Sequence, residues 1–140
     1  MQQKSVKSKP ENTETATHGT KYLGVDISLE HLDVYLNGNY RRFNNNNEGI
    51  KKLKALIDKQ NEPVLVAYES TGWLSRILAM QLLSMGISQV CLNPSRVRNY
   101  ARAIGVQAKT DKKDCEMIAR FAEQTLSTRR FVIAIPSPVP

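Results

Sequence analysis

The chain has 140 residues, 41% of them hydrophobic and 24% charged, which allows one domain with a modest core. Twenty Lys and Arg against 13 Asp and Glu give a net charge of +7 and a pI of about 9.6, a balance that points towards a polyanionic partner. No apolar run approaches the roughly 20 residues that span a bilayer, and Met1 to Thr20 lacks the apolar stretch of a secretory signal. Cys91 and Cys115 have no metal-type spacing; they fit a reducing cytoplasm and argue against a disulfide framework.

Residues 1–20 read as a disordered polar tail, with Pro10 and Gly19 and no hydrophobic period. The folded domain is expected over residues 21–127. It opens with Lys21 to Ser28, an apolar run interrupted by Asp26. Leu32 to Leu36 forms a second strand that ends at the hairpin signal Asn37-Gly38-Asn39, and Tyr40 to Phe43 forms a third. Asn44 to Asn47 breaks that strand and supplies an N-cap for a helix from about Glu48 to Lys59, with Ile50, Leu53, Leu56 and Ile57 on one face.

Pro63 precedes the extended segment Val64 to Tyr68, apolar enough to be covered on both sheet faces. Ser70 or Thr71 is expected to cap a helix that runs to about Met85 and stops at Gly86. Ile87 to Leu92 reads as a buried strand. Asn93-Pro94 starts a helix to about Ile104, with Val97, Ala101 and Ile104 facing the core. A last helix spans about Asp111 to Leu126, and residues 128–140 read as a linker or a frayed end. Three strands in meander followed by alternating helix and strand predict an α/β fold. Its expected form is a ribonuclease-H-like mixed sheet of about five strands flanked by helices.

Asp26 is the most informative residue, because it interrupts a strand that should be apolar. Burying a carboxylate costs several kcal/mol unless it is paired or bound to a metal. Glu69 repeats the pattern at the carboxyl end of the buried run Val64 to Tyr68, the end of an open α/β sheet where ligands gather. Asp111 and Asp114 lie three apart at a helix start and share one face. Helix capping and the macrodipole account for that pair equally well when it is taken alone. Together the four carboxylates suit two divalent ions about 3.5–4 Å apart, clamping the attacking and leaving oxygens of a phosphodiester. Hard oxygen ligands select Mg²⁺ or Mn²⁺. His18, in the tail, and His31, in an expected turn, are poorly placed for zinc, and the sequence contains neither a Ser-His-Asp arrangement nor a P-loop.

Arg96, Arg98, Arg102, Lys109, Lys112 and Lys113 supply a basic cluster opposed, between residues 96 and 113, only by Asp111. Arg98 and Arg102 are four apart, placed for adjacent phosphates, and the three lysines crowd the acidic pair. Tyr100 is expected to pack in the core rather than to stack on a base.

Four segments then recur in a familiar order: Gly24-Val-Asp-Ile-Ser28 with Leu32-Asp-Val34; Tyr68-Glu-Ser-Thr-Gly72; Asn93-Pro-Ser-Arg-Val-Arg98 with Tyr100-Ala-Arg-Ala103; and Ala108-Lys-Thr-Asp-Lys-Lys-Asp114. In these the chain resembles the N-terminal domain of the DEDD transposases of the insertion-sequence "one-ten" family, relatives of the Piv DNA invertases. The resemblance covers about Tyr22 to Glu123, and Cys115 departs from it at a position where Ala is common. It implies a RuvC-like domain whose Asp26, Glu69, Asp111 and Asp114 bind Mg²⁺ and act on DNA in transposition or inversion. It also implies a second, C-terminal domain with a serine used in strand exchange, a guide (bridge) RNA as a further partner, and a homo-oligomeric full-length protein. No serine of this chain inherits that serine's role, and a truncated, split or fragmentary protein is the expectation for a chain of this length. Two competing readings stand beside this one. The first is a non-catalytic nucleic-acid-binding fragment. The second is a sugar-kinase or actin-like ATPase, which needs a glycine-rich phosphate loop that the sequence does not contain.

Overall fold

In a computed structural model, residues 19–106 and 110–126 are described, apart from the side chain of Asp111. Five strands and four helices follow one another in that part of the chain. They are β1 (Lys21–Ile27), β2 (His31–Leu36), β3 (Asn39–Asn44), α1 (Asn47–Asp58), β4 (Val64–Glu69), α2 (Trp73–Ser84), β5 (Gln89–Leu92), α3 (Pro94–Ala103) and α4 (Asp111–Leu126). The strands form one sheet in the order β3-β2-β1-β4-β5. β1, β2 and β3 pair antiparallel around the Asn37-Gly38 turn, whereas β4 and β5 run parallel to β1. This is the expected ribonuclease-H-like mixed sheet. Among the described residues no helix is long and apolar enough to cross a membrane.

The period-2 alternation of each strand divides the core into two layers. Leu23, Val25, Ile27, Leu32, Val34, Val66 and Tyr68 face α1 and α2, where Leu53, Leu78 and Leu82 meet them. Tyr22, Leu65, Ala67, Val90 and Leu92 face α3 and α4, where Val97, Met117, Ile118 and Ala122 complete a second cluster. The acids at positions 26 and 69 fall in the second register, so both point to the α3–α4 side.

Three local expectations are corrected. α2 is capped by neither Ser70 nor Thr71: its N-cap is Gly72 at φ 67°, with no side-chain cap bond. Ser75, inside the helix, takes over by accepting from the Thr71 amide at 3.0 Å and donating to the Gly72 carbonyl at 2.9 Å. The positive φ turns the chain sharply enough that the hydroxyls before it no longer reach the helix amides. Ile104 is 45% exposed rather than inward, because α3 ends at Ala103. His31 opens β2 instead of lying in a turn. The expected caps Asn46 and Asn93 do accept from Gly49 N and Ser95 N, each at 2.9 Å. The tail and linker assigned to residues 1–20 and 128–140 lie almost entirely outside the described residues.

One close approach sets the position of α4. A Cβ added at Gly24, on β1, would run into the backbone carbonyl of Cys115 and come within 2.7 Å of the Ala119 amide nitrogen. No side chain fits there, so α4 rests directly on β1 with its N-terminal turn at the carboxyl end of the sheet. Gly24→Ala is expected to destabilise the domain by about 1–3 kcal/mol, the range for overpacking a tight core. Asn46→Ala, loss of an ordinary cap, should cost about 1 kcal/mol. Denaturant unfolding followed by circular dichroism checks the ranking.

Candidate active site

Asp26 sits near the end of β1 and Glu69 at the end of β4, each half-buried. The parallel register pairs Val25 with Tyr68, so Asp26 and Glu69 are the next positions on adjacent strands, about 4.8 Å apart along the hydrogen-bonding direction. Asp114 comes from the first turns of α4, which the missing side chain of Gly24 allows to lie over β1. All three line one cleft of about 660 Å³ between the sheet, α3 and α4. Asp111 is the first residue of α4.

The cleft also holds basic residues. Arg98 and Arg102 of α3 and Lys113 of α4 line the same cleft. Arg96 and Lys112 are exposed and do not line it, and Lys109 lies outside the described residues. Three acids and three bases therefore share a cleft that Val97, Ala101, Val106, Met117 and Ile118 also line. Tyr100 packs edge-on against Phe121, ring centroids 5.6 Å apart, as a core residue.

The start of α4 separates Asp114 from the capping role. Thr110, not an aspartate, caps α4: its Oγ1 accepts from the Lys113 amide at 3.1 Å and its carbonyl accepts from the Asp114 amide at 2.8 Å. Asp114 is thus not needed as a cap, although its position still profits from the positive end of the helix dipole.

Asp33, within β2, was not singled out as a site residue by the sequence. It is 3% exposed and is the register partner of Asp26. Arg42 grips it from β3, Nε donating to Oδ1 at 2.8 Å and Nη2 to Oδ2 at 3.2 Å, and the Tyr40 hydroxyl donates to Oδ1 at 2.6 Å. Burial alone would raise the Asp33 carboxyl, but the hydrogen bonds from Arg42 and Tyr40 prevail and hold it below the usual carboxylate range. The signal was present in two places. Asp33 lies between Leu32 and Val34 just as Asp26 lies between Val25 and Ile27. Counting back from the Asn37-Gly38 turn pairs it with Arg42.

Cys115 closes the site from above, fully buried. Burial first, then the charges of Asp33 and Asp26, push its thiol up to about 12. The donors left in the cleft are carboxylate oxygens, the kind that a hard divalent cation takes. They fit such an ion in type and in their shared cleft. Among the described residues, however, no three acidic, histidine or cysteine side chains already form a closed metal-binding group.

A mixed sheet of this order, with acids near the ends of its first and fourth strands beneath a helix that brings a third, is that of a ribonuclease-H-like domain. The chain belongs to the IS110-type DEDD transposases: the model of that family, described as a transposase, matches residues 23–133. The pilin gene-inverting proteins of Moraxella bovis and Moraxella lacunata are each 28% identical over 107 residues, which is 71% of this chain and 33% of theirs. The chain thus spans about a third of the length of these curated relatives.

The Asp33 environment predicts an acid-sensitive contribution to folding. Its carboxyl is more acidic folded than unfolded. The stability it supplies is complete above the unfolded value, about 4, and is lost as pH falls through the lower folded value. Asp33→Asn should therefore flatten the fall of the unfolding midpoint below about pH 4. Thermal melts across that range measure it. A profile as steep as that of the wild type would place the acid sensitivity elsewhere.

Proposed function

We propose that Asp26, Glu69, Asp111 and Asp114 hold Mg²⁺ or Mn²⁺, most simply as two ions. With them the domain would cut or transfer DNA phosphodiesters in transposition or site-specific inversion. One observation carries this reading: acids from three separate elements line one cleft together with Arg98, Arg102 and Lys113. Such ions would activate the attacking hydroxyl and stabilise the leaving oxygen. The chain's own residues do the rest. Arg98 and Arg102, one helical turn apart, neutralise neighbouring phosphates and fix the strand's register without reading its sequence. Lys113 sits beside the acids, where developing negative charge on the reacting phosphate needs a cation. The apolar lining of Val97, Met117 and Ile118 excludes water from the buried side of the cleft and strengthens each of these interactions. The family membership and the inverting proteins among the relatives support DNA as the substrate class.

The test is Mn²⁺ binding and Mg²⁺-dependent cleavage of branched DNA by the wild type and by Asp26→Ala and Glu69→Ala variants. Each variant should keep its circular dichroism spectrum and lose at least about a hundredfold in ion-dependent cleavage. Cleavage and ion affinity unchanged in both variants would sink the proposal. DNA bound equally well by all three proteins, with no cleavage by any of them, would instead identify a non-catalytic nucleic-acid-binding domain. The basic residues that line the cleft fit that second reading as well.

The basic residues of the cleft make a separate prediction. Arg98→Ala and Arg102→Ala should each weaken binding of unrelated DNA sequences alike and lower the slope of log affinity against log salt by about one. Filter binding from low to moderate salt reads this directly. Arg96→Ala, outside the cleft, should change that slope less.

A further inference from the structure

Each of the two strand-end acids is followed within a few residues by a large apolar side chain left in solvent. Leu29, three positions beyond Asp26 in the turn between β1 and β2, is 64% exposed. Trp73, four beyond Glu69 and the first residue of α2, is 58% exposed. β1 and β4 are parallel neighbours, so both residues leave the same edge of the sheet. Four residues of chain span at most about 14 Å, which bounds the separation of Trp73 from Glu69.

Neither side chain owes its exposure to a slack loop. The Ser28 amide donates to the His31 carbonyl at 2.9 Å, and Asn45 Nδ2 donates to the Ser28 carbonyl at 2.8 Å. Beside Trp73, the Ser70 amide donates to the Leu92 carbonyl at 3.0 Å. The Ser75 hydroxyl then ties Thr71 to Gly72, whose positive φ opens α2 with Trp73 outward. Burial of a tryptophan is among the largest single hydrophobic gains open to a small domain, and this fold forgoes it.

The surroundings of Trp73 indicate the partner. Trp73 to Ser84 contains no acidic residue, and Arg76, one turn on, is exposed on the same face. Arg76 also lines, with Ser70 and Gly72, a pocket of about 290 Å³ at the start of the helix. An exposed aromatic ring beside a cation, on a helix without acids to repel phosphate, is how proteins hold unpaired bases. A base inside a duplex has both faces covered by its neighbours, so such a ring selects a base outside the stack.

We propose that Trp73, assisted by Leu29, is a stacking platform for an unpaired DNA base next to the phosphate held in the cleft. The substrate is then DNA already unpaired beside the point of reaction, and not an intact duplex. This rests on the DNA-binding role proposed above for the cleft.

Trp73 is the sole tryptophan of the chain, so its fluorescence reports this position alone. The probes are a DNA duplex with a single-stranded thymine overhang and the same duplex with blunt ends, each added to the full chain. The overhang should quench Trp73 emission, and the blunt duplex should not. Trp73→Ala should bind the overhang DNA about tenfold more weakly, the scale of one stacked base. Its affinity for the blunt duplex should stay within about twofold of the wild type. Trp73→Phe keeps a ring and should recover most of the loss, and Leu29→Ala should show a smaller loss of the same kind.

Equal quenching by both DNAs, or an equal loss for both in Trp73→Ala, would mark general charge attraction and overturn the proposal. Emission that shifts with protein concentration but not with DNA overturns it too. The face that Ile77 and Met80 continue would then be a contact between copies. If Trp73→Ala fails to fold, the wild-type quenching decides alone. The platform and the chemistry fail separately. Quenching by the overhang with no Mg²⁺-dependent cleavage sinks the proposed chemistry and keeps the platform. Cleavage that is lost in Asp26→Ala, without quenching by either DNA, does the reverse.

Discussion

The contact between β1 and α4 at Gly24 is the constraint on which the site depends. A helix resting on a sheet ordinarily stands off by the thickness of the side chains between them, about 10 Å between layers. At Gly24 there is none, and the backbone of Cys115 and Ala119 comes down onto the strand. The approach brings the first turns of α4 to the end of β1, where Asp26 is, and buries Cys115 completely above it. The small residues at 115, 119 and 122 serve the same end, since a larger side chain on that face would lift the helix and carry Asp114 away from the other acids.

That closeness has an electrostatic consequence. Asp26, Asp33, Glu69 and Asp114 are gathered into a small volume, and like charges at such separations repel strongly where water is scarce. Each is balanced in a different way. Arg42 and Tyr40 hold Asp33. Arg98, Arg102 and Lys113 share the cleft with the remaining acids, and the N-terminus of α4 adds its partial positive charge. Cys115 adds no charge, because burial and those same acids keep its thiol protonated. The chain is thus basic overall, as its net charge of +7 indicates, yet acidic at one point.

How much of this was legible in the sequence follows from which interactions are local. Strand alternation, the Asn37-Gly38 turn and the Asn46 and Asn93 caps depend on neighbours within a few residues, and they placed every described element to within a few positions. Asp26 and Glu69 stood out because an acid in or beside an apolar run needs a partner wherever the chain goes. Gly24 carried no such mark. Its role comes from residues about 90 positions away, and a strand glycine has several possible reasons. The cap of α2 was misplaced for a local reason: Gly72 takes a positive φ, which removes Ser70 and Thr71 from the helix entry and gives the task to Ser75. Thr110 was overlooked beside Asp111 because both residue types cap helices, and only the amide geometry separates them.

Asp33 shows where reading single residues reaches its limit. An acid between Leu32 and Val34 is as anomalous as one between Val25 and Ile27, and the rule that singled out Asp26 applies equally to both. The difference lies in the partner across the hairpin. β3 contributes Arg42 opposite Asp33, so the second buried acid is neutralised within the sheet, while the first faces a cleft. Two acids with the same local sequence signature therefore acquire opposite duties from a register fixed by one turn. A shift of one residue in β3 would point Arg42 to the other face of the sheet and leave Asp33 facing Asp26 without its counter-charge. The Asn37-Gly38 turn thus does more than close a hairpin. By fixing where Arg42 falls, it sets the counter-charge that Asp33 receives inside the sheet.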